Sequence, residues 1–282
     1  MFEKVFRTTN TIELHGTYIW TIKLAASFLP LLSTLEVSLR NAIHNAATNL
    51  IGPDWYNQLA TRVRSSWSDQ QRDMKNIKWH KKQVNKVEEK IKNKTPAKGL
   101  TKRDLIVAKF EFGFWDNLLR ECFSVNGSKK ALWPQCMPHV FPNRKKGQTN
   151  STIQTQISEL RELRNDISHN HPIWKHSSVT DEMSAITYLN ERIDKIVEII
   201  GWLSKDAINW LEVHMLVAEA RRIATKDFLY LCQRKSIPNI ETKSSKFRKH
   251  FHRQLAALDK NSFTVISHKD SHMYVLTKIT NH

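Results

Sequence analysis

The sequence predicts a mainly α fold, and three observations carry that prediction. The chain holds 7 glycines and 8 prolines in 282 residues, too few for the many tight turns of a sheet protein. Apolar residues recur at helical steps through most of its length. With 40% apolar and 9% aromatic residues, there is enough material for a packed core, so wholesale disorder is excluded.

The elements follow in order. Phe28, Leu32, Leu35, Leu39 and Ile43 recur at steps of four and three, predicting a long first helix over residues 17–50, bent near Pro30 and stopped by Gly52-Pro53. Residues 56–92 read as a more polar helix, and Thr95-Pro96-Ala97-Lys98-Gly99 as a loop. Residues 102–123 read as helix again. Gly127, Pro134, Pro138, Pro142 and Gly147 predict a loop with at most short helical turns over 124–149. Ile153, Ile157, Leu160, Leu163 and Ile167 form one stripe, predicting a helix over 151–168, and segments 181–203 and 206–224 complete the helical run. Residues 263–267 and 273–278 alternate apolar with polar across a short polar turn, the signature of a hairpin over 263–278. The expected division is a helical domain over 1–212, with a basic helical segment at 62–103, and a basic C-terminal module over 213–282.

Charge narrows the function. The chain carries 44 Lys and Arg against 27 Asp and Glu, a formal +17. Residues 62–103 contribute +10 and residues 214–282 contribute +8, while the remainder sums to −1. Concentration of this kind points to a polyanionic partner, with nucleic acid leading. In the first segment aromatics are interleaved with the charge, at Trp67 and Trp79, offering both phosphate-neutralising and base-stacking groups. A solvated basic helix face is the alternative. The candidate RNA-binding cations are Lys78, Lys81, Lys82 and Lys86 here, Lys246, Arg248, Lys249 and Arg253 near the C-terminus, and Arg161 between.

Three cysteines, at 122, 136 and 232, form neither a disulfide framework nor a C-x-x-C zinc pair. The N-terminus lacks the basic start and apolar core of an export signal. The apolar stretch at 17–39 is interrupted by Lys23, Pro30 and Glu36, which leaves an uncharged run too short to span a bilayer. A cytoplasmic protein with no membrane partner is expected. No Gly-rich phosphate loop or metal-ligand spacing is present, so no cofactor and no metal is expected.

The segment that carries chemistry is Leu160-Arg161-Glu162-Leu163-Arg164-Asn165-Asp166-Ile167-Ser168-His169-Asn170-His171-Pro172. Arg161, Asn165 and His169 share one face of an ideal helix, whereas Arg164 lies about 140° round from His169. Convergence of Arg164 with His169 therefore needs the helix to loosen or turn near Ser168, or a cleft formed with a second copy or domain. A histidine can then move a proton at neutral pH, and a guanidinium can stabilise charge on a phosphate. RNA supplies its own 2′-hydroxyl nucleophile, so such a set suffices for metal-free transesterification. The same residues also fit a plain helix C-terminus with a dipole-favoured His and surface arginines.

Arg164-Asn165-Asp166-Ile167-Ser168-His169 matches the R-[polar]-x3-H motif of HEPN-domain ribonucleases, and its setting resembles the Abi-like abortive-infection proteins. Other pieces similar to that family occur in the same order: Leu35-Glu36-Val37-Ser38-Leu39-Arg40-Asn41, Gly52-Pro53-Asp54-Trp55-Tyr56, Phe112-Gly113-Phe114-Trp115, Leu132-Trp133-Pro134, Phe141-Pro142-Asn143, and Trp202-Leu203-Ser204 before Trp210. Together they span most of residues 20–212. Where the family commonly reads His-His-Glu-Pro, this chain reads His169-Asn170-His171-Pro172.

The resemblance implies a HEPN-like helical bundle acting as a ribonuclease toxin in phage defence or a toxin-antitoxin pair, with motifs paired between two units. One motif per chain then implies a homodimer. By position Arg164 and His169 would be catalytic and Asn165 would orient them. A small structured RNA, matched to the basicity and known among Abi-like proteins, is the expected antitoxin; an acidic protein is the alternative.

Glu36, Arg40 and His44 share a face of the first helix and, with His171, are candidate supporting residues; a Glu36–Arg40 ion pair is the simpler expectation. Phe112, Phe114, Trp115 and Trp133 are expected in the core. Two other classes stay open: a non-catalytic RNA-binding scaffold, and a DNA-binding regulator that would prefer duplex DNA at matched salt.

Overall fold

The computed structural model describes residues 2–235, positions 251, 253 and 256, and residues 263–267 and 273–277. The architecture is mainly α. Among the described residues are twelve helices: α1 (Phe2–Phe6), α2 (Thr11–Leu50), α3 (Trp55–Gln58), α4 (Trp67–Ile91), α5 (Lys102–Lys109), α6 (Phe112–Leu118), α7 (Met137–Val140), α8 (Asn150–Ser168), α9 (Glu182–Leu203), α10 (Lys205–Val213), α11 (Leu216–Ile223) and α12 (Lys226–Gln233). Strands β1 (Phe263–Ser267) and β2 (Met273–Thr277) pair antiparallel, with Val265 opposite Val275. The chain divides into two compact units: 1–31 with 166–195 and 209–282, and 32–165 with 196–208.

The first unit is built on aromatics. Phe6 packs edge-on to Trp20 and to Trp174, at centroid distances of 5.8 and 5.0 Å. The buried indole N–H groups are satisfied: Trp20 Nε1 donates to the Ile223 carbonyl at 2.7 Å and Trp174 Nε1 to Thr21 Oγ1 at 2.9 Å. Gln233 Nε2 donates to Thr17 Oγ1 at 2.9 Å, so α12 packs on the start of α2. That approach is close: a Cβ on Gly16 would run into the Cys232 carbonyl and the Gln233 backbone. Residues 209–235 are therefore tied to the N-terminal end of the chain. These contacts join residues far apart in the chain and leave no trace in local composition.

The second unit takes the rest of α2, whose Leu32, Leu35, Leu39 and Ile43 are fully buried. It also buries Trp55 and, as expected, Phe112, Phe114, Trp115 and Trp133. Residues 56–92 are not one helix. After α3 the chain runs non-helical to the Ser66 N-cap, since the Ala60 and Arg62 amides donate to the Lys130 and Cys122 carbonyls and Arg64 grips buried Asp73 through two side-chain bonds. Residues 102–123 break at Phe110, which is extended and stacks face to face on Phe114 at 3.7 Å. The 206–224 helix is also two, parted at Met215 with a left-handed φ of 57°. The loop at 124–149 keeps only short turns, α7 among them, yet it is buried through Leu132, Trp133, Val140 and Phe141.

α2 is the expected long helix, begun earlier, at Thr11, and continuous through Lys23, Pro30 and Glu36. By length and composition it could cross a membrane, which corrects the expectation of a run too short to span one. A core helix passes the same test, and the stripe from Trp20 through Leu24, Phe28 and Leu31 has zero exposure. The fold is compatible with a soluble protein. The cysteines are free thiols, and burial pushes Cys122 and Cys136 up to about 12 and about 11, which leaves them unreactive.

Candidate functional site

Helix α8 carries the motif, and its core stripe positions it. Ile153, Ile157, Leu160 and Leu163 are buried, while Ile167, expected to extend the stripe, is only half-buried at the helix end. The helix stays regular through Ser168, so no loosening occurs between Arg164 and the terminus. It closes as a Schellman motif: the Asn170 amide donates to Ile167 at 3.1 Å and the His171 amide to Asp166 at 2.8 Å, with Asn170 left-handed at φ 57°. Asn tolerates that conformation better than a bulkier residue does. The departure at 170 thus has a backbone reason, and Pro172 follows where a helix cannot continue.

His169 and His171 are both exposed at this end, their rings 6.0 Å apart. His171 Nδ1 lies 3.1 Å from Asp166 Oδ1. A carboxylate only accepts, so His171 Nδ1 is the donor of this contact.

Arg164 and Asn165 are half-buried one turn earlier, within the second unit. An Arg164 Nη atom lies 3.5 Å from Glu36. The Glu36 carboxylate also accepts the Phe112 amide at the start of α6. Burial raises its pKa, and the charges of Arg164 and Arg40 oppose the rise. The expected Glu36–Arg40 pair is thus replaced by Glu36–Arg164, because the α2 carboxylate faces α8; Arg40 Nε reaches Asn41 Oδ1 at 3.3 Å instead. His44 takes a structural part: its Nδ1 accepts from Trp55 Nε1 at 3.1 Å, and burial lowers its pKa.

Arg161, one turn before Arg164, is held by buried Asp116 on α6, Nε to Oδ2 at 2.9 Å. Asp116 also accepts from Ser158 and Gln154, and Arg120 lies 3.8 Å away. Of the residues expected to bind RNA, Lys78, Lys81, Lys82 and Lys86 are exposed on α4. Arg253 is exposed on helical backbone, and Lys246, Arg248 and Lys249 lie outside the described residues. Sequence reasoning missed Lys75 and Arg120, which line a hollow of about 230 Å³ with Trp79 and Arg161. A larger neutral cavity of about 510 Å³ gathers Asn41, Asn45, Asn49 and His139 and contains none of the motif residues. The repeat of Asn at every fourth position of α2 was its signal in the sequence.

Fold and site together define a helical protein with a basic groove beside an arginine-bearing helix end. The chain belongs to the Abi-like protein family, whose model matches residues 2–175. No curated protein and no solved structure matches the chain.

Proposed function

We propose that this chain is a metal-independent, HEPN-type endoribonuclease toxin acting in the cytoplasm in phage defence or a toxin-antitoxin pair. The supporting observation is that Arg164 is half-buried and braced by Glu36, with Asn165 beside it and His169 presented at the helix cap. Membership of the Abi-like family supports the abortive-infection setting.

In this reading the 2′-oxygen attacks the adjacent phosphorus and the P–O5′ bond breaks. His169 exchanges the proton, taken from the 2′-hydroxyl or given to the leaving 5′-oxygen, and Arg164 neutralises the charge gathering on the non-bridging oxygens. The products are a 2′,3′-cyclic phosphate and a 5′-hydroxyl. His171, oriented by Asp166, supports the second proton transfer. Because α8 is regular up to Ser168, Arg164 and His169 diverge on one helix. A homodimer that apposes two α8 ends supplies the composite site, and a small structured RNA serves as antitoxin for the basic surface.

The test compares wild type, Arg164→Ala and His169→Ala, each freed of co-purifying RNA, on mixed RNA in EDTA. Cleavage by wild type alone with cyclic phosphate ends is expected, together with a dimer in sedimentation. Equal RNA binding by all three and cleavage by none overturns the nuclease and leaves an RNA-binding scaffold.

A further inference from the structure

We infer that the groove between α4 and α6 is the binding site for single-stranded RNA, with one base stacked on Trp79 and the backbone held by cations on both sides. The inference rests on the proposed RNA substrate and names the part of the molecule that would hold it.

Geometry carries the argument. Asp73, His80, Val84, Val87 and Ile91 bury one face of α4. Lys75, Trp79, Lys86 and Lys90 fall within about 60° of one another on a flank of that helix. Lys78 and Lys81 point further round, so only part of the basic segment belongs to this stripe. Trp79 borders two hollows at once. One, of about 230 Å³, has Lys75, Arg120 and Arg161 in its wall; the smaller has Lys86 and Lys90, with Glu111 as its carboxylate. An aromatic in the middle of a row of cations is the arrangement that single-strand binders use, since every base offers a π-face while the phosphates follow the charge.

The floor fits this use. Gly113 brings α6 backbone under the indole: a Cβ there would meet Trp79 Cη2 at 3.9 Å and Arg161 Cδ at 4.0 Å. A longer side chain would occupy the hollow. Trp79 is 36% exposed, in contrast to the fully buried Trp55, Trp115 and Trp133 of the same unit. Asp116 lines the same hollow and, bound to Arg161, Ser158 and Gln154 with Arg120 3.8 Å away, offsets one of its three cations, so the wall keeps a net positive charge. Arg161 has a second carboxylate 3.7 Å away in Glu162, which is mostly exposed. Duplex RNA keeps its bases stacked inside and cannot lay one on Trp79, so the groove selects single strands. Arg161 stands three residues before Arg164 on α8, so a strand in the groove is led toward the braced arginine.

The test uses the full chain and a labelled 2′-O-methyl oligoribonucleotide, which has no 2′-hydroxyl to attack with, so that binding is read apart from cleavage. Anisotropy is measured across a salt series for the single strand and for its duplex. Trp79→Ala is expected to weaken single-strand binding about 5- to 150-fold, the worth of one base–aromatic stack, with an unchanged salt slope. Trp79→Phe is expected to restore most of it. Lys75→Gln and Lys90→Gln are each expected to weaken binding and reduce the salt slope by about one. Wild-type binding that is undetectable, equal for duplex and single strand, or unaffected by Trp79→Ala overturns the groove. If Trp79→Ala binds normally while wild type cleaves natural RNA, the groove fails and the nuclease stands. If Trp79→Ala loses binding while wild type never cleaves, the nuclease fails and the groove stands. Trp79 borders solvent, and matched melting curves confirm that the variants are folded.

Discussion

Arg164 lies 3.5 Å from Glu36, a carboxylate 128 positions earlier in the chain, and that pair joins the motif helix to α2. Glu36 also accepts the Phe112 amide, so one side chain couples α2, α6 and α8. The pair is partly exposed, and its contribution to stability is correspondingly small. Its effect is to aim the guanidinium.

Glu36→Gln therefore separates positioning from stability. The amide keeps the volume and the acceptor for Phe112 but loses the charge facing Arg164. RNA cleavage is expected to fall about 10- to 100-fold in kcat, the scale of a small misplacement in a reacting geometry. KM should change less than about twofold, since the proposed binding groove is untouched. Steady-state kinetics with a short RNA check this, and a change confined to KM would refute it.

Asn170 is predicted to act through the backbone. Asn170→Gly should stabilise the chain or leave it within about 1 kcal/mol, because glycine adopts the left-handed cap without strain. Asn170→Val should cost about 1–2 kcal/mol. Urea unfolding at pH 7 gives both values, and equal stability of the two variants would count against the cap.

Gly16→Ala is expected to destabilise by about 1–3 kcal/mol or more, since the new methyl meets backbone at Cys232 and Gln233 and not a side chain that can move. Loss of near-ultraviolet signal from Trp20 and Trp174 should accompany it. A melting temperature equal to wild type would mean that α12 does not pack on Gly16.

Acid should weaken the fold through two histidines. Burial depresses the pKa of His80, whose Nε2 donates to the Tyr56 carbonyl at 2.9 Å, and of His44. In each case the unfolded chain takes up a proton first as pH falls through the ordinary value of 6.5, so it binds more protons than the native state and stability drops. Glu36 has the opposite sign, because its raised pKa favours the protonated native form as pH falls, and it partly offsets the loss in the range above its ordinary 4.5. The melting temperature should decline from pH 7 to 5, and less steeply for His80→Gln, which keeps a donor for Tyr56. Parallel profiles for the two proteins would remove His80 from the account.

Much of the fold was legible locally. The four-and-three spacing of α2 and the stripe of α8 located both helices within a few residues, because a buried face must repeat with the helix turn. The alternation at 263–278 likewise located β1 and β2. Errors came where a distant partner intervened. Residues 59–66 carry no strong breaker, yet they leave the helix because amides at 60 and 62 find carbonyls at 130 and 122. Phe110 interrupts a good helical sequence to stack on Phe114.

The same division holds for the candidate site. The sequence by itself determined the residue types at the end of α8, their five-residue spacing and the concentration of positive charge, since all three are properties of neighbours along the chain. Tertiary structure alone decided that Glu36 pairs with Arg164, that Asp116 holds Arg161, and that Lys75, Trp79 and Arg120 line one groove. Those relationships join elements tens of residues apart, and packing, which no local pattern encodes, brings them within reach.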